Sequence, residues 1–299
     1  MLTFFTVPKP FIGKIGTIQR NAIKSWVLLR PECEIILLGD EQGVAEVAGE
    51  FKLTHIPDIE KNEFGTPLLN SVFSKAQQAA KNELVCFINS DIILMNDFIN
   101  AIRHISLKRF LAIGHRWDLD ITGKLDFEKN WDLKIRKHAF LYGRRHESYG
   151  IDYFVFLRDL VIWKTPPFII GRLRPDNWIV WHALSLRIPV VDMTYVATVI
   201  HQNHVRTYSS IGRVPIAGCD NLRDSVESQE NIRLYSMEKL YTIDSATYFL
   251  TFGYILLPRI LLKILRKIKR LSGITFLQNH LLRILKTKNY TQKIDSRRK

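Results

Sequence analysis

The stretch Leu84-Val85-Cys86-Phe87-Ile88-Asn89-Ser90-Asp91 decides the fold, because five apolar residues are followed at once by three polar ones. An uninterrupted apolar run of this length is typical of a strand that is buried on both faces. In open α/β sheets, ligands bind beyond the carboxyl ends of the strands. The Asn-Ser-Asp triplet therefore lies where a ligand would bind. The alternative for Asp91 is a purely structural turn after the strand.

Strand and helix patterns alternate around this run. β-rich or apolar runs lie at residues 2–7, 34–38, 53–56 and 110–113, and helical patterns at 20–30, 43–51 and 97–107. A further helix is predicted from Thr66, as its cap, and Pro67, as its first residue. Short connections between alternating strands and helices predict an α/β fold, a mostly parallel sheet with helices on both faces. Beyond residue 114 the pattern is less regular, with strands predicted at 151–157 and 190–199 and a helix at 175–185.

The charge of the chain is concentrated at its C-terminal end. The 299 residues carry a net charge of +14, and residues 251–299 hold 13 basic residues and one acidic residue. The preceding 250 residues are nearly neutral, so a nucleic-acid-binding body is disfavoured, and we expect no nucleic-acid partner. The hydrophobic share of 46% excludes a disordered chain. We divide the chain into a domain at 1–245 and a basic tail at 246–299.

The tail has the pattern of an amphipathic helix. Between residues 259 and 271, Ile260, Ile264 and Ile268 fall on one side, and Arg259, Lys263 and Arg266 on the opposite side. Such a helix suits an anionic membrane surface, so residues 248–286 are predicted to contact one, with a second amphipathic helix at 274–286. The alternatives are a helix packed on the body and a dimer interface. The start of the chain lacks a signal-peptide pattern, which favours a cytoplasmic, membrane-peripheral location.

Several short motifs, in the same order along the chain, resemble the GT-A class of nucleotide-sugar glycosyltransferases. Residues 87–94 resemble its DxD region, with Asn89 in place of the first Asp, and residues 4–8 its first strand. Residues 62–67 resemble the lead into the helix before the DxD strand. Residues 150–156, 171–178 and 199–204 resemble the acceptor-side segments and a late strand end that contains His. The resemblance covers about residues 1–210 and implies a GT-A-type fold.

The resemblance implies a divalent cation, Mn²⁺ or Mg²⁺, as cofactor. Asp91 and Asn89 would be ligands, and a late His would complete the set. His201 is the better choice because it directly follows an apolar run, and His204 is the weaker one. An imidazole ligand suits Mn²⁺ better than Mg²⁺. The Asn89 variant leaves one carboxylate instead of two.

Asp176 is the candidate for a catalytic base, since it lies between Pro175 and Asn177 at the start of a predicted helix. A carboxylate there could take the proton from an acceptor hydroxyl. The alternative is an acidic residue favoured by the helix dipole. Asp152 is the second candidate for the base, or a residue that binds an acceptor hydroxyl. Arg172 and Arg174 would hold the diphosphate or an acidic acceptor.

Other polar residues at predicted strand ends and on predicted helices are candidates for binding the nucleotide. They are Thr6, Pro8, Arg20, Asp40, Asn70, Lys75, Asn89 and Ser90. Asp40 ends the second strand, where acidic residues bind ribose or base groups in other nucleotide folds.

The predicted function is the transfer of a sugar from a nucleotide-diphosphate sugar to a hydroxyl of a glycan or glycolipid, with inversion of configuration. A retaining mechanism would not need Asp176. A nucleotidyltransferase is the alternative within the same fold, although no Gly-rich loop with Lys or Arg follows the first strand. A catalytically silent module of this fold that binds a glycan or scaffolds a membrane complex is the third possibility, which Asn89 favours.

Overall fold

The structure is a computed structural model that describes residues 1–160, 164–204, 225–236, 239–261 and 264. The strands β1 to β13 are, in chain order, Leu2–Thr6, Glu34–Leu38, Thr54–Ile56, Leu84–Ile88, Ile92–Ile93, Leu111–Ile113, Trp117–Leu119, Arg144–Arg145, Tyr153–Leu157, Val190–Asp192, Ile200–Gln202, Tyr248–Leu250 and Leu256–Pro258. The helices α1 to α7 are Gly13–Val27, Val44–Phe51, Leu69–Ala79, Asn96–Arg103, Trp131–Tyr142, Pro175–Ser185 and Val226–Leu234.

The central sheet has nine strands in the described residues, in the order β13-β12-β10-β6-β9-β4-β1-β2-β3. All neighbouring pairs are parallel except those that involve β9 and β13, which run antiparallel to their neighbours. The mostly parallel α/β sheet predicted from the sequence is confirmed. Because β9 runs in the opposite direction, its first residues lie at the same edge as the carboxyl ends of β1 and β4.

Helices cover both faces of this sheet. Phe4 of β1 packs in one core beside Trp26 of α1, with ring centroids 5.7 Å apart. The next residue, Phe5, packs in the opposite core beside Phe73 of α3, at 5.5 Å. Successive side chains of a strand point to opposite faces, so the uninterrupted apolar run of each inner strand is explained by this double burial.

A second, four-stranded sheet has the order β5-β11-β7-β8. Strand β5 begins at the residue after Asp91, and β11 pairs with it antiparallel, His201 opposite Ile92. This pairing brings residues around position 200 beside the end of β4. Its side chains form a third core with α5.

Three helix starts differ from the prediction. Helix α1 begins at Gly13 rather than near residue 20, because the weak helix propensity of Gly13 and Gly16 hides its first turn in the sequence. Thr66 and Pro67 do not open α3, which begins at Leu69, because residues 67 and 68 are extended and form bridges to neighbouring segments. Helix α4 begins at Asn96 and ends at Arg103, so Asp97 lies inside its first turn.

The predicted strand at 190–199 is wrong in extent, because the backbone turns after Asp192 and the next strand begins only at Ile200. The expected tail boundary also needs correction. Residues 248–250 and 256–258 are strands of the central sheet, since β12 pairs with β10 and β13 with β12. Arg259 fixes this hairpin through Asp192, with Nη1 3.1 Å from Oδ2. Residues 248–258 therefore belong to the body of the protein, and the tail begins only beyond residue 258.

Most of the predicted tail lies outside the described residues, including the expected helix at 274–286. A helix begins at Arg259. None of the helices in the described ranges is both long and apolar enough to cross a membrane.

Candidate functional site

A cleft of about 680 Å³ opens at the carboxyl ends of β1 and β4. Pro8, which follows β1, and Asn89 to Asp91, which follow β4, form its floor. Asp152 enters from the start of the antiparallel β9. The segment 170–177 forms one wall. Residue 201 of β11 and residues 203 and 204, which follow that strand, form part of another. The fold thus brings together predicted site residues that are distant in sequence.

Asp91, His201 and His204 form a cluster in this cleft. Oδ2 of Asp91 lies 3.0 Å from Nε2 of His204 and 3.5 Å from Nε2 of His201. One ligand atom from each residue lies within 4.8 Å of the other two. Oδ1 of Asp91 is buried and accepts no hydrogen bond from the described residues. A carboxylate oxygen without a donor, beside two imidazoles, is a donor set that fits a divalent cation.

The electrostatics of the cluster follow from its burial and its contacts. Burial raises the pKa of Asp91, but hydrogen bonds from His201 and His204 lower it more, so the net pKa lies far below its usual value. Burial lowers the pKa of His201, but its contact with Asp91 raises it more, and the net pKa lies above its usual value. The carboxylate thus stays charged and available as a ligand throughout the neutral range.

Asn89 has a different environment from Asp91. Its Nδ2 donates a hydrogen bond to Oδ1 of Asp152 at 2.9 Å, and its backbone N–H donates to the Asp152 carbonyl at 2.9 Å. Asn89 therefore connects the end of β4 to the start of β9. Its role as a metal ligand remains a prediction.

A network that the sequence analysis missed lies directly behind the cluster. Arg116 donates from Nε to Oδ1 of Asp118 at 2.8 Å and from Nη1 to Asp152. The other oxygen of Asp118 contacts Nδ1 of His146 at 2.6 Å. Oδ1 of Asp118 also lies 3.4 Å from Nδ1 of His201, the nitrogen on the far side of the ring from Asp91. The two atoms do not have hydrogen-bond geometry, and Nδ1 of His201 is buried without a hydrogen-bond partner in the described residues. A carboxylate this close would orient a ligating imidazole and raise its basicity once that hydrogen bond forms.

The position of these missed residues in the sequence could have indicated their place in the site. Residues 115–118 follow the apolar strand β6 just as Asp91 follows β4, and they too lie at the carboxyl edge of the sheet. The rule that selected Asp91 would therefore have selected Arg116 and Asp118 as well.

Asp176 lies in the first turn of α6, after Pro175, and lines the cleft. Burial and, to a smaller extent, the negative charge of Asp152 raise its pKa to about 8, while Arg116 acts in the opposite direction. A carboxyl with a pKa near the working pH is suited to accept and release a proton. Asp152 is held in an ion pair with Arg116, although its Oδ2 is buried without a hydrogen-bond partner in the described residues.

The two predicted arginines of the cleft wall have different surroundings. Arg172 donates from Nε to Oε2 of Glu227 at 2.8 Å, and the other oxygen of Glu227 accepts from Thr66 and Asn62 at 2.6 and 2.9 Å. Its charge is therefore compensated within the protein. Arg174 has a backbone φ of +92°, which is strained for a residue with a side chain, and lines the cleft.

The remaining predicted nucleotide-binding residues divide into two groups. Pro8 and Ser90 line the cleft, and Ser90 donates to Gln19 at 2.7 Å. Thr6 is buried within β1. The others lie outside the cleft lining: Arg20 pairs with Glu50, Asp40 with Lys61 and Lys75 with Asp58, while Asn70 is half-buried on α3. The structure does not bring these four to the cleft.

Comparisons with known proteins found partial likenesses to solved structures. No family model and no curated protein matches the sequence. Among solved structures, the mannosyltransferase PcManGT from Pyrobaculum calidifontis, in complex with GDP-Man and Mn²⁺, is similar at 11% identity and a TM-score of 0.45. That match covers 69% of this chain and 58% of that one. TarS 1–349 from S. aureus is similar at 13% identity and a TM-score of 0.33, over 43% of this chain and 40% of that one.

A nucleotidyltransferase is also among the similar structures. The 4-diphosphocytidyl-2C-methyl-D-erythritol synthase from Anaerococcus prevotii matches at 12% identity and a TM-score of 0.41, over 65% of this chain and 88% of that one. The chain spans less than two thirds of TarS 1–349 and of the mannosyltransferase. All three TM-scores lie below 0.5, so these likenesses are partial.

Proposed function

We propose that this protein is a metal-assisted glycosyltransferase that uses a nucleotide-diphosphate sugar. One observation carries the proposal: a potential metal-binding cluster of Asp91, His201 and His204 shares a single cleft with Asp176, a carboxyl whose pKa is raised to about 8. One group suited to a cation and another suited to a proton are what transfer from a diphosphate to a hydroxyl requires.

The cation would be held by Asp91, His201 and His204, and Asp118, 3.4 Å from Nδ1 of His201, would orient that ring. Imidazole ligands favour Mn²⁺ over Mg²⁺. A divalent cation bound there would supply positive charge to a diphosphate and stabilise it as a leaving group. Arg174 and the residues after β1 and β4 would complete the donor site.

In the proposed reaction Asp176 acts as the general base. An acceptor hydroxyl attacks the anomeric carbon, the bond from that carbon to the diphosphate oxygen breaks, and the hydroxyl proton passes to the Asp176 carboxylate. A single displacement of this kind inverts the configuration. Asp152, fixed by Arg116 and Asn89, would bind an acceptor hydroxyl or supply the negative charge that raises the pKa of Asp176.

We further propose that the acceptor is a glycan or a glycolipid, and that the protein works on the cytoplasmic face of a membrane. The support is the basic C-terminal segment, with a net charge of +12 in residues 251–299. Since residues 248–258 belong to the central sheet, the part of 248–286 that can make this contact as a tail begins at Arg259.

A turnover assay tests the proposal. The full chain would be incubated with UDP- and GDP-sugars, with and without Mn²⁺, and release of the nucleoside diphosphate measured. We expect release with at least one donor, dependent on the metal. Pyrophosphate release from a nucleoside triphosphate and a sugar phosphate would instead identify a nucleotidyltransferase. Absence of all nucleotide binding would favour a silent module.

A further inference from the structure

The helix α5 exposes an apolar side. Leu133, Phe140 and Leu141 are 42%, 50% and 61% exposed, and they are separated by seven and eight residues, so they lie on one side of the helix. Tyr142, at its end, is 73% exposed. Only Ile135 and Ala139 of this helix are buried. A helix that turns large apolar side chains outward in this way is typical of an interaction surface.

A chain of ring contacts extends this surface across the protein. Phe140 lies against Trp117 with centroids 5.2 Å apart, and the Arg145 guanidinium lies 5.1 Å from the Trp117 ring and 5.9 Å from that of Tyr195. The Tyr195 ring in turn lies 5.9 Å from Phe252. Tyr195 and Phe252 are themselves partly exposed. Phe252 lies in the turn of the β12–β13 hairpin, after which the basic C-terminal segment begins.

Basic side chains lie on the same segments as the exposed apolar and aromatic ones. Residues 133–145 contain five basic residues and no acidic residue. Four of them are exposed, namely Lys134, Lys137, Arg144 and Arg145, and the fifth, Arg136, pairs with Asp97. The acidic neighbours of this group are Asp132, in the first turn of α5, and the exposed Glu147, 3.3 Å from Arg144.

We propose that this docking face, formed by α5, β8, Tyr195 and Phe252, lies on an anionic lipid bilayer. Aromatic rings and basic side chains on one face suit the boundary between lipid head groups and acyl chains. A second copy of the chain fits less well, because a two-fold contact would bring like charges of this face together. The proposal concerns the body of the protein and not the tail, and it holds whether or not the cleft transfers a sugar.

The docking face would also orient the cleft. Tyr149, which is 57% exposed and lines the cleft, follows β8 by four residues and packs on His146, with ring centroids 5.6 Å apart. The cleft rim therefore begins close to the docking face. A body held on the bilayer by this face would present the cleft to lipid head groups rather than to bulk solvent alone.

A site-specific probe distinguishes this contact from binding by the tail alone. A polarity-sensitive fluorophore would be attached to Leu141→Cys in the full chain, with Cys33 and Cys219 replaced by Ser. The matched control is Val226→Cys on α7, which is 67% exposed and outside the docking face. With vesicles of phosphatidylglycerol, we expect a blue shift and quenching by spin-labelled lipid at position 141 and neither at position 226.

Three results would overturn the proposal. A probe at position 141 that stays unchanged while the chain sediments with the vesicles would show that the tail binds without the docking face. A blue shift that appears without vesicles but grows with protein concentration would identify a second copy. A blue shift that is present in dilute protein without vesicles would show that the chain itself covers the face.

Substitution provides a second readout. Phe140→Ser combined with Leu141→Ser removes two large apolar side chains that already face solvent, so the fold should tolerate the change. We expect partitioning onto phosphatidylglycerol vesicles to weaken about tenfold. The matched control, Val226→Ser, should leave it unchanged. Equal binding of the double variant and the original chain would contradict the proposal.

Discussion

Nε2 of His204 lies 3.0 Å from Oδ2 of Asp91, although 113 positions separate the two residues in the chain. The contact exists because β11 pairs with β5 and returns the chain to the end of β4. Asp91 follows β4, His201 lies on β11 and His204 follows β11, and the three meet at one edge of the fold. This meeting is the structural basis of the proposed cation site.

Replacing Asp118 by Asn should weaken Mn²⁺ binding about 10- to 100-fold, because the carboxylate that orients His201 from behind is lost. Calorimetry or Mn²⁺ electron spin resonance would measure the affinity. The control is Asp120→Asn, an exposed carboxylate two residues further on that contacts Asn203. If both variants bind Mn²⁺ as the original chain does, Asp118 does not position the ligand.

Replacing Asp176 by Asn should stop transfer while leaving donor binding intact, because the amide cannot accept the acceptor's proton. The same change should raise the midpoint of thermal unfolding. The folded-state pKa of about 8 exceeds the value of 3.8 for an unperturbed Asp, so the folded chain holds more protons between these two pH values. The free energy of unfolding therefore falls as pH rises through this window, and Asn removes that loss.

Calorimetry at pH 7 would measure the unfolding midpoint of Asp176→Asn. In a domain of this size, each kcal/mol of stabilisation raises that midpoint by about 2–4 °C. A variant that is less stable and fully active would show that Asp176 is a structural residue of α6.

The rate of transfer should depend on pH in a defined direction. A base must be ionised to accept a proton, so kcat/KM should rise with pH and approach a plateau above about 8, the pKa of Asp176. Steady-state rates at low substrate concentration would give this profile. A second profile, of the unfolding midpoint, would show that the chain stays folded across the range. A rate that is constant between about pH 6.5 and 9 would exclude Asp176 as the base.

Replacing Glu227 by Gln should loosen the cleft wall, because Glu227 connects Asn62 and Thr66 with Arg172. The change leaves the buried Arg172 without its countercharge, so we expect the free energy of unfolding to fall by about 1–3 kcal/mol. The KM for the donor should rise as the wall loosens. Glu230→Gln, an exposed position on the same helix, is the control. Equal stability of the two variants would contradict this assignment.

Much of the fold could be predicted from local patterns. The strands at 2–6, 34–38 and 84–88 are apolar runs buried on both faces, and such runs are visible in the sequence without any knowledge of their partners. The β12–β13 hairpin could not be predicted in this way. Its residues are as apolar as a membrane-contacting segment would be, and only their pairing with β10 shows that they extend the sheet.

The candidate site was predictable where a residue follows a strand directly. Asp91 and His201 were found by that rule, and the cleft brings both together with Asp152, Asp176, Arg172 and Arg174. The rule also selected Asp40, which is exposed and pairs with Lys61 outside the cleft, whereas the next residue, Glu41, lines the cleft. Contacts such as that of Asp118 with His201 depend on the pairing of β7 with β11, and no local pattern reveals a pairing between distant segments.

The central claim is that a cation at Asp91, His201 and His204 binds together with a nucleoside diphosphate in the cleft. Thermal unfolding in the presence of UDP, GDP and their sugars, with and without Mn²⁺, tests it most directly, since ligand binding to the folded state raises the unfolding midpoint. We predict that at least one nucleotide stabilises the chain more with Mn²⁺ than without it. Asp91→Ala should lose this gain, and Asp58→Ala, an exposed control, should retain it. The absence of any Mn²⁺-dependent gain with every nucleotide would contradict the account.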